Sequence, residues 1–299
     1  MLASLVLLCG LWGPAAAEEA ETAYVENEWN FVDGAMDVSG GIPEDAAGVL
    51  DRIRRNGVLR VATEPYFAPQ EFIDPALSGQ AQYVGADMKL ASLIAERMGV
   101  ELEIIPMEFT RVLPALTEDL CDLTISAIAY TPGRASAYAL SKGYYFTDSI
   151  ASTGYIIREE DREKILTEGD LADKVIVAQS SSLQEALVAE HVHSYLEYRR
   201  LSSVQDVYDA VRTGQADAGA VDMETAEAYI ESNPQAGLCL VEGMNYTLDT
   251  HYQGDRMAAK KGELQLIYFV NGVINEVLES GAYEQWIEEA QARAAELGL

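Results

Sequence analysis

Short apolar runs and longer amphipathic stretches alternate along this chain, and that rhythm narrows its architecture more than any other feature. Val58-Leu59-Arg60-Val61-Ala62 reads as a buried strand. A loop holding Pro65 and Pro69 and an extended piece near Tyr83-Val84 follow it. The next stretch, Asp87 to Met98, puts Leu90, Ala91, Ile94, Ala95 and Met98 on one helical face, and Gly99 stops it. Glu101-Leu102-Glu103-Ile104-Ile105 alternates as a strand, Arg111 to Thr117 predicts a helix, and Leu123-Thr124-Ile125-Ser126 is strand-like again. Strands that alternate with helices imply a mainly parallel sheet covered on both faces.

The rhythm restarts after about residue 150. Val175-Ile176-Val177, the region of Tyr198 and Ala218-Gly219-Ala220-Val221 predict strands, with helices from Leu183 and over Val204 to Arg212. The chain has 299 residues, 49% of them hydrophobic, enough for two such α/β units without disulfide or metal staples. A tail from Glu263 to Leu297 aligns Leu266, Phe269, Val270, Val273, Ile274 and Val277 on one side, so it is expected to pack back on the first unit.

The beginning reads differently. Residues 1–17 are apolar, run through Leu5-Val6-Leu7-Leu8 to Ala15-Ala16-Ala17 and precede Glu18-Glu19, the pattern of an export leader cut at small residues. Residues 18–46 form an acidic extension with an aromatic cluster at Trp29-Asn30-Phe31 and no sustained period, and Pro43-Glu44-Asp45 opens a short helix that Gly57 stops. If the leader is removed, Cys121 and Cys239 are the remaining cysteines, far apart and expected as buried thiols. Asp plus Glu outnumber Lys plus Arg by 49 to 20, a formal charge of -29 that would repel a phosphate backbone. Nucleic acid is therefore no partner, and a cationic ligand or a high-salt habitat fits. His191 and His193, two apart, fall on different faces of a helix, so no metal pair is expected, and no CxxC, P-loop or GxSxG motif points to a cofactor.

Several short motifs occur in a set order. Gly57-Val58-Leu59-Arg60-Val61-Ala62-Thr63 precedes an aromatic-Pro loop, then come Gly85-Ala86-Asp87-Met88, Leu113-Pro114-Ala115-Leu116 leading to Cys121-Asp122-Leu123, and Thr131-Pro132-Gly133-Arg134. Leu171-Ala172-Asp173-Lys174-Val175 runs into Gln179-Ser180-Ser181-Ser182, and Gly214-Gln215-Ala216-Asp217-Ala218 leads to Val221-Asp222. In this order, from about residue 57 to 297, the chain resembles the family 3 extracellular solute-binding proteins that serve amino-acid ABC importers.

The resemblance implies a two-lobed periplasmic binding protein-like fold of type II, α/β in each lobe, with lobe 1 over 47–146 plus 258–299 and lobe 2 over 147–257, joined by two hinge crossovers. It further implies a monomer outside the cytoplasm that binds an amino acid and hands it to a membrane ABC permease. Arg134 matches the residue that pairs with the ligand's α-carboxylate, a task suited to a planar guanidinium fork. Ser181 and Ser182, at the start of a capped helix, match the second carboxylate contact. Asp222, at the carboxyl end of a strand, matches the α-ammonium partner, whereas Asp217 at the strand start suits a turn. Glu64, Phe67 and Asp87 match the pocket for the ligand side chain, and Phe109 can stack on it. Ser126, Ala127 and Ala129 match the segment before the arginine; the two alanines replace hydroxyl residues common in the family, so backbone donors are expected to do more. Two acids near the side chain lean toward a cationic amino acid. The rival reading is a cyclohexadienyl dehydratase-like enzyme on the same scaffold, with Glu64 as general acid.

Overall fold

The structure, a computed structural model, describes residues 48–146, 151–247 and 254–299. The expected leader, the acidic extension and Pro43-Glu44-Asp45 lie outside the described residues. Helix α1 (Val49–Asn56) buries Val49, Leu50 and Ile53 and ends at Gly57, whose φ of 73° is a left-handed conformation that glycine enters without a Cβ clash. Then come β1 (Val58–Thr63), the short strands β2 (Tyr66–Phe67), β3 (Glu71–Ile73) and β4 (Tyr83–Val84), and α2 (Ala86–Met98). They lead to β5 (Glu101–Pro106), α3 (Phe109–Val112), α4 (Pro114–Thr117), β6 (Leu123–Ala129), α5 (Pro132–Ala137) and β7 (Tyr138–Leu140). The single helix predicted over 111–117 is two short ones, because Pro114 has no N–H to continue the ladder and starts a new turn.

The second half holds β8 (Ala151–Arg158), β9 (Val175–Gln179), α6 (Leu183–His191), β10 (Glu197–Leu201), α7 (Val204–Arg212), β11 (Ala218–Asp222), α8 (Met223–Ser232) and β12 (Leu238–Thr247). The chain returns through β13 (Asp255–Lys260) and ends in α9 (Leu264–Ser280) and α10 (Ala282–Leu297), split at Gly281. The family resemblance puts the return to lobe 1 at about 258. The ladder begins earlier, with Asp255 opposite Ala129 and Arg256 opposite Ile128.

Two five-stranded sheets result, ordered β5-β1-β6-β13-β7 and β10-β9-β11-β8-β12. Each follows one plan. Three parallel strands lie side by side, and the strand that carries the chain across from the other lobe pairs antiparallel beside them, β13 against β6 and β8 against β11. A third, small antiparallel sheet, β2-β3-β4, contains the extended piece expected near Tyr83-Val84 as β4, while β2 and β3 have no counterpart in the sequence rhythm.

In lobe 1, Leu90, Ala91 and Ile94 of α2 share a core with Val61, Leu123 and the α9 residues Ile267, Val270 and Ile274. In lobe 2 alternate residues feed opposite faces: Ile157, Ile176 and Ala218 join one cluster, Ile156, Val177 and Val221 the other. Cys121 and Cys239 are buried, free and in different lobes. Among the described residues no helix is long and apolar enough to cross a membrane.

Candidate ligand-binding cleft

Parallel α/β sheets leave their ligand crevice beyond the carboxyl ends of the strands. Here those ends belong to β1 and β6 in one lobe and to β9 and β11 in the other, and they meet. The Gln179 Nε2 amide at the end of β9 donates to Glu64 Oε1 just past β1, at 3.4 Å, and Arg134 Nη2 donates across to the Ser181 carbonyl at 3.0 Å. The lobes are therefore closed on each other.

Arg134 sits in α5, whose start is fixed by Thr131: the Thr131 hydroxyl accepts from the Arg134 N–H at 3.1 Å. Its Nη1 donates to the Ala129 carbonyl at 2.7 Å, and its guanidinium carbon lies 5.8 Å from the Phe109 ring centre. Burial lowers its pKa, and as a guanidinium it stays a cation in a protein. It leaves further N–H donors beyond the two carbonyl contacts.

Ser182 caps α6 by accepting the Glu185 N–H at 3.1 Å, while its own hydroxyl donates to the Gln179 carbonyl at 2.7 Å. Glu185 reaches one residue beyond the expected box and accepts from the Ser181 N–H at 2.6 Å. That holds Ser181 at a φ of 64°, with its carbonyl turned to Arg134. Asp222 is half-buried and caps α8, its Oδ1 accepting from the Thr225 N–H at 3.0 Å and hydroxyl at 2.9 Å; loss of solvent pushes its carboxyl up to about 6. Asp217 is a structural residue, joined to Arg158 and to the Val175 N–H.

The side-chain pocket residues divide into two depths. Glu64 is 2% exposed and, among the described residues, forms no ion pair; burial drives its carboxyl up to about 8, with the Tyr66 N–H opposing. Phe67 is half-buried and packs onto the lobe 2 core around Val204 and Val207. Asp87 lies deeper, with no exposed surface, and accepts from the hydroxyls of Tyr283 at 2.5 Å and Tyr144 at 2.9 Å and from the Ala127 N–H at 3.2 Å. The Ala127 N–H thus points inward, where the family pattern looks for a donor to the ligand. The price of that turn is a φ of 42° at a residue with a Cβ. Ser126 is likewise engaged, accepting from the Glu64 N–H at 3.1 Å and donating to Glu71 Oε1 at 2.8 Å.

Three acids missing from the sequence reading complete the electrostatics. Glu71 is buried beside Asp87, and burial together with that neighbouring charge raises its carboxyl well above the usual range. Asp255 stands at the return crossover, its carboxyl raised by burial, and Glu224 accepts from the Tyr145 hydroxyl at 2.8 Å. Tyr144 and Tyr145 supply hydroxyls to this floor, to Asp87 and to Glu224. No period along Gln70-Glu71-Phe72, all three of them buried, marks Glu71. No sequence signal marks Asp255, whose neighbours come from other elements.

Two α/β lobes closing charged strand ends on each other define a solute receptor. A family model for bacterial extracellular solute-binding proteins, family 3, matches residues 59–290. The chain belongs to that family, and its place of work is outside the cytoplasm. A probable histidine-binding protein of Campylobacter jejuni is 24% identical over 239 residues, covering 77% of this chain and 84% of the relative. An amino-acid ABC transporter substrate-binding protein of Streptococcus pneumoniae, solved with L-arginine, superposes with a TM-score of 0.74 at 28% identity, covering 82% of this chain and 98% of that one. A cyclohexadienyl dehydratase of Pseudomonas aeruginosa is 25% identical over 195 residues, covering 64% of this chain and 68% of the enzyme.

Proposed function

We propose that this chain captures a cationic α-amino acid outside the cytoplasm and delivers it, lobes closed, to a membrane ABC permease. The carrying observation is Glu64: a carboxyl group 2% exposed, between the lobes, with an amide but, among the described residues, no cation beside it. A buried carboxylate without a counter-ion is costly, and a ligand ammonium or guanidinium supplies what is missing. Arg134 is placed for the α-carboxylate and Asp222 for the α-ammonium, so the ligand's two ends meet opposite charges from opposite lobes. Phe109, stacked on Arg134, walls the same site. The arginine bound in the pneumococcal relative agrees with this chemistry.

The sign of the pH dependence tests it. Glu64 binds a cation as the carboxylate, yet in the unliganded protein it is protonated below about 8. Affinity for arginine or lysine should therefore rise with pH up to about 8, with proton release measurable by titration calorimetry in buffers of different ionisation enthalpy. Glutamine, which brings no side-chain charge, should show no rise between about 6, where Asp222 titrates, and 8. Equal, pH-independent binding of arginine and glutamine over that window would remove the cationic assignment. The dehydratase reading predicts turnover: prephenate or arogenate incubated with the protein would lose water and carbon dioxide, whereas a receptor leaves both intact.

A further inference from the structure

The lobes meet a second time beside the strand ends, on the far side of Glu64 and Asp222, where Pro65 and Thr225 reach the contact. Lobe 1 brings the β2–β3 hairpin and the last residues after α10, and lobe 2 brings α7 and α8. Asn233, at the end of α8, donates through Nδ2 to the Gly298 carbonyl at 3.1 Å, as well as to its own helix at Tyr229, 3.0 Å. Tyr208 and Tyr229 stack with ring centres 4.3 Å apart behind this contact. Between the two surfaces runs an apolar cavity of about 180 Å³, walled among others by Pro65, Phe72, Tyr208, Tyr229 and Leu299.

We propose that this seam is a closure latch, in which Asn233 and Leu299 are positioning residues that set how much receptor is closed, and so the ligand affinity, without touching the ligand. The inference rests on the receptor reading above. Its physical core is α8. The helix carries Asp222 as its N-cap in the cleft and Asn233 as its C-cap on the seam. At 1.5 Å per residue, a rigid rod of about 15 Å couples the two ends. When Asp222 swings toward a ligand, Asn233 and the Tyr229 face swing onto Gly298 and Leu299.

For a receptor whose competent form is a fraction of the whole, apparent Kd is the intrinsic value divided by that fraction. A contact made only in the closed form thus tightens every ligand equally. The latch is also weak. It consists of one interlobe hydrogen bond and an apolar surface with unfilled volume, which suits a receptor that has to reopen at its permease.

Calorimetric Kd values for L-arginine, L-lysine and L-glutamine in the wild type, Asn233→Ala, Leu299→Ser and the double variant test this. The expected result is a Kd about two- to tenfold higher for each single variant, as for loss of one net hydrogen bond or a small apolar contact. The ratios among the ligands should stay unchanged, and stopped-flow should place the loss mainly in dissociation. A variant that only weakened the fold would lower the unliganded melting temperature with Kd unmoved, and that result overturns the latch. Tighter binding in either variant overturns it too, since the seam would then favour the open form. If the wild type binds no amino acid, the receptor reading and the latch fall together. If it binds and the variants match it, only the latch falls. Asn233 also caps its helix, so Leu299→Ser, on the other lobe, keeps the test informative should Asn233→Ala unfold.

Discussion

Arg134 divides its guanidinium between carbonyls of both lobes, Ala129 and Ser181, and this dual engagement is what lysine could not reproduce. Arg134→Lys keeps the charge and loses the fork. Amino-acid affinity should fall roughly tenfold or more, while the circular dichroism melt stays within about 1 kcal/mol of wild type, as the site is half-buried and polar. Undiminished binding in Arg134→Lys would mean that the α-carboxylate docks elsewhere. The local settings of Arg134 and Asp222, a capped turn and a strand end, were legible in the sequence, while their roles toward a ligand rest on the family resemblance. Asp87 was legible as a residue and not as a depth: nothing in Gly85-Ala86-Asp87 reveals that Tyr144 and Tyr283, the latter 196 positions on, close over its carboxylate. The acidic floor of buried Glu71 and Asp87 and half-buried Asp255 arises from contacts between distant elements, to which local periodicity is blind.

At the scale of elements, helices were readable because each buries one regular face and central strands because they are apolar runs buried on both, whereas β2 and β3 are too short to display a period. Their place is set instead by Gly85. At φ 121° and with the Gln70 carbonyl oxygen 2.1 Å from where a Cβ would stand, this glycine lets the small sheet press against the start of α2. The obstacle is backbone, so it cannot swing aside. Gly85→Ala should cost about 2–4 kcal/mol in urea unfolding. Because Asp87 stands two residues on and holds the Ala127 turn, ligand affinity should drop as well. A variant as stable as the wild type would show that this junction yields more easily than its geometry implies. The tail was read as one apolar stripe, and Gly281, with φ 65°, turns it into two helices, the second long enough to leave lobe 1 and reach α8.

For the whole molecule, closure and charge act together. A formal charge of -29 repels itself and attracts cations, and both effects are screened within about 10 Å at 0.1 M salt. Arginine should therefore associate faster than glutamine at low ionic strength, and raising NaCl from about 0.02 to 0.2 M should slow arginine several-fold while leaving glutamine's rate nearly unchanged. The closing motion should respond otherwise. Gln179 meets Glu64 where both side chains are buried, so that contact is screened far less than the exposed one between Arg134 and Ser181. Salt would then alter how quickly a cation arrives and hardly alter how slowly it leaves. Stopped-flow traces that put the salt effect on dissociation would place the recognised charge at the rim of the cleft, in solvent, and Glu64 would lose its role as the ligand's buried counter-ion.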